Sequence, residues 1–92
     1  MNILKTADDI VNNRSEEKER QYGPFEEGMI RATNILNAMT GQNVSPDFMY
    51  KALIALKLSR ESYTHKEDNL LDAVAYIGAL NNYLEKNNKQ TK

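Results

Sequence analysis

Apolar residues recur at helical spacing in four stretches of this chain, separated by turn-forming residues. In the first, Ile3, Ala7, Ile10 and Val11 share one side, with Arg14 continuing the spacing, and Thr6-x-x-Asp9 reads as a helix-start box. A helix is expected over about 4–20, its second half the charge run RSEEKER from Arg14 to Arg20, a solvated face or frayed end. Tyr22-Gly23-Pro24 interrupts it, and a second helix starts there with Phe25, Met29, Ala32, Leu36 and Met39 on one core-facing stripe. Gly41 stops that helix, and Ser45-Pro46 starts a third over about 46–61. Met49, Leu53 and Leu56 lie on one flank of the third helix and Ile54 and Leu58 on another, so it reads as the central one. After a connection at 62–66, a fourth helix is expected over about 67–86, with Leu70, Ala73, Ile77, Leu80 and Leu84 as its main apolar face and Val74 adjoining.

These elements make a single all-α domain over 1–86, a four-helix antiparallel bundle with short loops, followed by a polar flexible tail at 87–92. No internal repeat or dividing linker interrupts it. With 92 residues the core is small, and association between chains would add stability. A net charge of −1 gives no electrostatic reason to expect DNA binding. The absence of cysteine removes disulfides, thiolate zinc sites and a cysteine nucleophile. Asp8 and Asp9 stand where a signal peptide would continue its apolar core, and no run of apolar residues approaches membrane-spanning length. The expectation is a cytoplasmic protein without membrane association.

The candidate chemistry gathers between Leu53 and Leu80. Asp72 is the single charge between Leu70 and Leu80, and burying it unpaired would cost several kcal/mol. Asp68, Asp72, Tyr76, Ala79 and Tyr83 fall in one narrow sector of the fourth helix, roughly opposite Leu70, Ile77 and Leu84. Two readings follow: the sector faces water, or it is a groove nearly enclosed by the flanking Leu71, Ala75 and Gly78. Carboxylates one turn apart can share a hard cation such as Mg²⁺, or pair with basic residues. Lys57 lies between Leu53 and Ile54 on the helical wheel, an apolar setting for an ammonium, and Arg60 is one turn on. Together they suit a phosphate, or an internal salt-bridge network with the acids of the fourth helix. Glu26 and Glu27 begin the second helix, where its dipole favours negative charge, and either is also a possible metal ligand. His65 reads as a surface loop residue. Tyr22, before the turn glycine, is placed to project into a groove and stack on a base. The chain contains no Gly-rich phosphate loop, nucleophile elbow or zinc pattern.

Taken in order, Ala7-x-x-Ile10-Val11, Arg14, Tyr22-Gly23-Pro24, Leu56-Lys57-x-x-Arg60 and Asp68-Asn69-x-x-Asp72-x-x-x-Tyr76 resemble the phage family called nucleotide modification associated domain 1. The resemblance covers about residues 3–80, and its most specific part is the Lys-x-x-Arg segment followed by Asp-Asn-x-x-Asp and a tyrosine. That family is similar to the all-α nucleoside triphosphate pyrophosphohydrolases of the MazG and dUTPase type. The resemblance implies phage nucleotide metabolism, a MazG-like fold and an oligomer with sites between chains. MazG-like enzymes hold Mg²⁺ through Glu-x-x-Glu on one helix and Glu-x-x-Asp on a later one. Here the later acids are Asp68 and Asp72, whereas Glu26 and Glu27 are adjacent and position 30, where Glu27 would need its partner, is Ile30.

The leading expectation is therefore binding of a nucleotide or nucleotide-derived small molecule, including sequestration of a host immune signal. Lys57 and Arg60 would hold phosphate, Tyr22 or Tyr76 would stack on a base, and Asp72 would orient the basic pair. The alternatives are a Mg²⁺-dependent pyrophosphohydrolase using Glu27, Asp68 and Asp72, and a protein that inhibits a host enzyme by binding it.

Overall fold

Helix boundaries follow the capping residues. The computed structural model describes residues 1–87, the side chain of Tyr22 excepted, and comprises α1 (Ile3–Asn12), α2 (Glu16–Tyr22), α3 (Phe25–Thr40), α4 (Pro46–Tyr63) and α5 (Glu67–Asn87). The described residues are all-helical, with four helices of ten residues or more and one of seven. No helix is long and apolar enough to cross a membrane. Of the expected tail, only Asn87 falls within the described residues, and it closes α5.

The helix expected over 4–20 is two helices. Asn2, not Thr6, caps α1 by accepting from the Lys5 N–H at 3.2 Å, and Asp9 is instead engaged by Lys5 and Asn13. The chain then turns, and Ser15 restarts it, accepting from the Lys18 N–H at 3.2 Å. Three acids in the first turn of α2, Glu16, Glu17 and Glu19, favour the dipole at that end. Gly23 ends α2 with φ 77° and ψ −179°, a region open essentially to glycine alone. Asn37 closes the α3–α4 loop by bonding both backbone groups of Val44, at 3.0 and 2.9 Å.

The central helix is α5, not α4. Asn69, Leu71, Ala73, Ala75 and Ala79 of α5 are buried, whereas Tyr50 is the buried residue of α4. Leu71 and Ala75 pack against Ala7 of α1, and Ala79 packs with Met29 of α3 and Tyr50 of α4. The enclosed side of α5 thus includes the sector of Asp72, Tyr76, Ala79 and Tyr83, while Ile77, expected in the core, is 51% exposed. The expected face is inside only in part: Ala73 is buried and Leu80 and Val74 pack against the core, but Leu71, Ala75 and Ala79 are the other enclosed positions, their small neighbours letting helices approach α5 closely and leaving Ile77 on the outer side. Met39, at the end of the expected α3 stripe, is 78% exposed because α3 outruns its contacts there.

The arrangement is not wholly antiparallel. Tyr50 meets Tyr83 and Lys57 meets Asp72, so α4 and α5 run in opposite directions. Along α1, however, Ala7 touches Leu71 and Ala75, and Asn12 accepts from Asn82 at 3.0 Å. Helices α1 and α5 therefore run the same way.

Candidate functional site

Antiparallel pairing of α4 and α5 sets late α4 beside early α5, and a shallow groove of about 600 Å³ opens there. Its charged rim carries Lys57, Arg60 and Lys66 against Asp68 and Asp72, three cations to two carboxylates, a surplus of one positive charge. Lys57 Nζ is ion-paired with Asp72 Oδ2 at 2.9 Å, and the lysine side chain is 18% exposed against 38% for the aspartate. The ammonium is thus the more deeply set partner, and removing Asp72 would leave it half-buried without its counter-charge. The anomaly of a lysine between Leu53 and Ile54 is explained by this pair.

A second groove, of about 510 Å³, exists because α1 stops at Asn12. Arg14 and Ser15 of the turn at 13–15 and Lys18 of α2 line it together with Ile10, Phe25, Ala75 and Tyr76. The Phe25 and Tyr76 rings are 6.1 Å apart between centroids and inclined by 50°. The Arg14 guanidinium carbon lies 5.7 Å from the Phe25 centroid, within cation–π range. Of the two acids here, Asp9 accepts from Lys5 at 3.1 Å and from Asn13 at 3.2 Å, which holds its carboxyl below the usual range. The other acid is Asp72, so one carboxylate forms a wall of both grooves.

Of the residues expected at the site, Lys57, Arg60, Asp68 and Asp72 come together in the first groove, and Tyr76 joins Asp72 in the second. The ring of Tyr22 lies outside the described residues. Glu27 is exposed in the first turn of α3, and Glu26 pairs with Lys86 at 3.3 Å. Among the described residues no three His, Asp or Glu side chains gather closely enough to hold a metal ion. Glu27, Asp68 and Asp72 are therefore not assembled into a Mg²⁺ site within this chain. Sequence reasoning missed the roles of Phe25 as a groove wall and of Lys18 and Lys66 as rim cations. Ser15 followed by two glutamates was the available signal for the turn that makes the second groove.

The mouth of the first groove is braced by Glu61, which contacts His65 Nδ1 and accepts from the Lys66 N–H at 3.1 Å. His65 is thus an exposed residue with a carboxylate partner one turn before it. The hydrogen bond from His65 comes first among the causes that hold the Glu61 carboxyl below its ordinary value of 4.5. A depressed acid stabilises the fold above its unfolded value and loses that contribution as pH falls through the folded one. Glu61→Gln is accordingly expected to flatten part of the acid limb below pH 4.5 in a urea-denaturation series, with little change at neutral pH.

A family model described as a domain of unknown function (DUF6378) matches residues 2–84. No curated protein and no solved structure matches the chain.

Proposed function

We propose that this chain, which belongs to the DUF6378 family, binds a nucleotide or nucleotide-derived small molecule across the two grooves that meet at Asp72. The observation that carries this reading is the juxtaposition of a rim with surplus positive charge and a groove floored by two aromatic rings. Phosphate oxygens suit Lys57 and Arg60, which offer an ammonium and a planar guanidinium one turn apart. A base suits the slot beside Tyr76, where ring stacking is sequence-tolerant and worth about 1–3 kcal/mol per base. Asp72 keeps Lys57 oriented until phosphate competes for it.

The resemblance to the nucleotide modification associated domain 1 family and to MazG-type proteins supports the same setting, phage nucleotide chemistry in a host cytoplasm. Holding the ligand fits better than cutting it, because no acid cluster for Mg²⁺ gathers within the described residues. Sequestration of a host immune signal is the role that such a binder would serve. Exposed Leu4 and Ile77, at 69% and 51%, and half-exposed Leu56 and Leu58 suit burial in an oligomer that completes the grooves from a second chain.

Isothermal titration with a panel of nucleoside mono- and triphosphates tests the reading directly. At least one should bind at micromolar concentration, and Lys57→Ala should weaken it about 10–100-fold through loss of a charge-assisted contact, with unchanged helical circular dichroism. Absence of binding at high micromolar concentration across the panel rejects it.

A further inference from the structure

The geometry points to a base preference: the aromatic groove takes a guanine ring, whose two adjacent N–H donors are read by the Asp72 carboxylate. This rests on the nucleotide-binding reading and sharpens it. Asp72 forms part of the wall beside Tyr76, and its Oδ2 is ion-paired with Lys57 Nζ at 2.9 Å. Among the described residues no hydrogen bond to Asp72 is formed and the ion pair engages Oδ2, which leaves acceptor capacity at Oδ1. Asp9, the second acid of the groove, is already engaged by Lys5 and Asn13.

An ionised carboxylate only accepts, and it accepts best from two parallel donors. Guanine presents N1–H and the 2-amino group side by side. Adenine sets its 6-amino group beside the N1 acceptor, cytosine sets its 4-amino group beside the N3 acceptor, and uracil flanks one N–H with two carbonyls. Each of these places a lone pair against a carboxylate oxygen, a repulsive contact in a partly enclosed wall. Arg14 and Lys18, which line the same groove, are donors of the kind suited to the O6 and N7 acceptors of guanine. One phosphate drawn to Lys57 would also loosen that lysine's claim on Asp72, leaving both carboxylate oxygens to the base.

The test is titration of the wild-type protein with guanosine, inosine and adenosine 5′-monophosphates. Inosine keeps the purine ring and O6 but lacks the 2-amino group, so it isolates the second donor. The guanosine ligand should bind about 10-fold or more tightly than either of the others. In Asp72→Asn that preference should collapse to within about threefold. Equal binding of guanosine and inosine monophosphates overturns the base assignment and leaves nucleotide binding standing. Binding by none of the three overturns the base assignment, and the wider panel of mono- and triphosphates then decides nucleotide binding itself. If Asp72→Asn weakens all three alike and the guanosine preference persists, the carboxylate acts only by positioning Lys57, and the assignment is wrong.

Discussion

Tyr50→Ala should lose about 3–5 kcal/mol of stability, the range for truncating a large buried aromatic, and leave little or no folded protein at 37 °C. Tyr50 is the most enclosed large residue described, 1% exposed, with its ring 5.9 Å from that of Tyr83 and against Met29 and Ala79. Three helices, α3, α4 and α5, meet on this one side chain, so its removal opens a cavity that no single neighbour can fill. A small domain commonly has only about 5–15 kcal/mol in total. Urea denaturation followed by circular dichroism measures the loss. Tyr50→Phe keeps the ring and, as the hydroxyl holds no hydrogen bond among the described residues, should change stability at neutral pH by less than about 1 kcal/mol, and it carries a second signature. Burial pushes the Tyr50 phenol up from 10 to about 12, so the folded state favours the protonated form. That contribution is fully present below pH 10 and is lost as pH rises towards about 12; Tyr50→Phe should remove this alkaline limb.

Ala79→Asp should cost about 3–5 kcal/mol, the penalty for an uncompensated buried charge, while Ile77→Asp should stay within about 0.5–1 kcal/mol. Ala79 is 3% exposed between Met29 and Tyr50, whereas Ile77, two positions earlier on the same helix, is 51% exposed. The residue sizes alone suggest the opposite order. If α5 presented its leucine and isoleucine stripe inward, Ile77→Asp would be the damaging change. Paired denaturation curves of the two variants therefore decide which side of α5 faces its neighbours. Ile77→Asp also reports on association: a fall in native mass without loss of helicity would place that face in an interface between chains.

Beyond the break at 13–15, which divides the helix expected over 4–20, the helices and their stops were legible because their punctuation is local. Gly23-Pro24, Gly41 and Ser45-Pro46 act through their own backbone angles, and the observed ends of α3 and the start of α4 fall where those residues dictate. The Lys57–Asp72 contact was legible for a related reason: each residue was an isolated charge in apolar surroundings, on facing helices. The orientation of α5 was not legible. Hydrophobic periodicity weights large side chains, whereas the close contacts of α5 run through Ala73, Ala75 and Ala79, which carry weak signal yet permit the nearest approach. The direction of α1 was equally hidden, because short connections favour antiparallel neighbours only between consecutive helices, and α1 pairs with the last one. The second groove depends on that pairing and on the turn at 13–15, so Phe25 appeared in the sequence only as ordinary core, although its ring partner Tyr76 was expected to stack on a base.

Pairing of α1 with α5 also sets an order of events during synthesis. Asn12 and Asn82 are 70 positions apart, and Glu26 and Lys86 are 60 apart. At about 5–20 residues per second, a ribosome needs roughly 4–14 s to advance from one member of the first pair to the other. Until α5 is made, Ile3, Ala7 and Ile10 lack the surface of Leu71, Val74 and Ala75 that covers them. The nascent chain can close the α3–α4 hairpin early, whereas α1 docks on α5 only once α5 has been made, and the aromatic groove that α1 borders is completed with that docking.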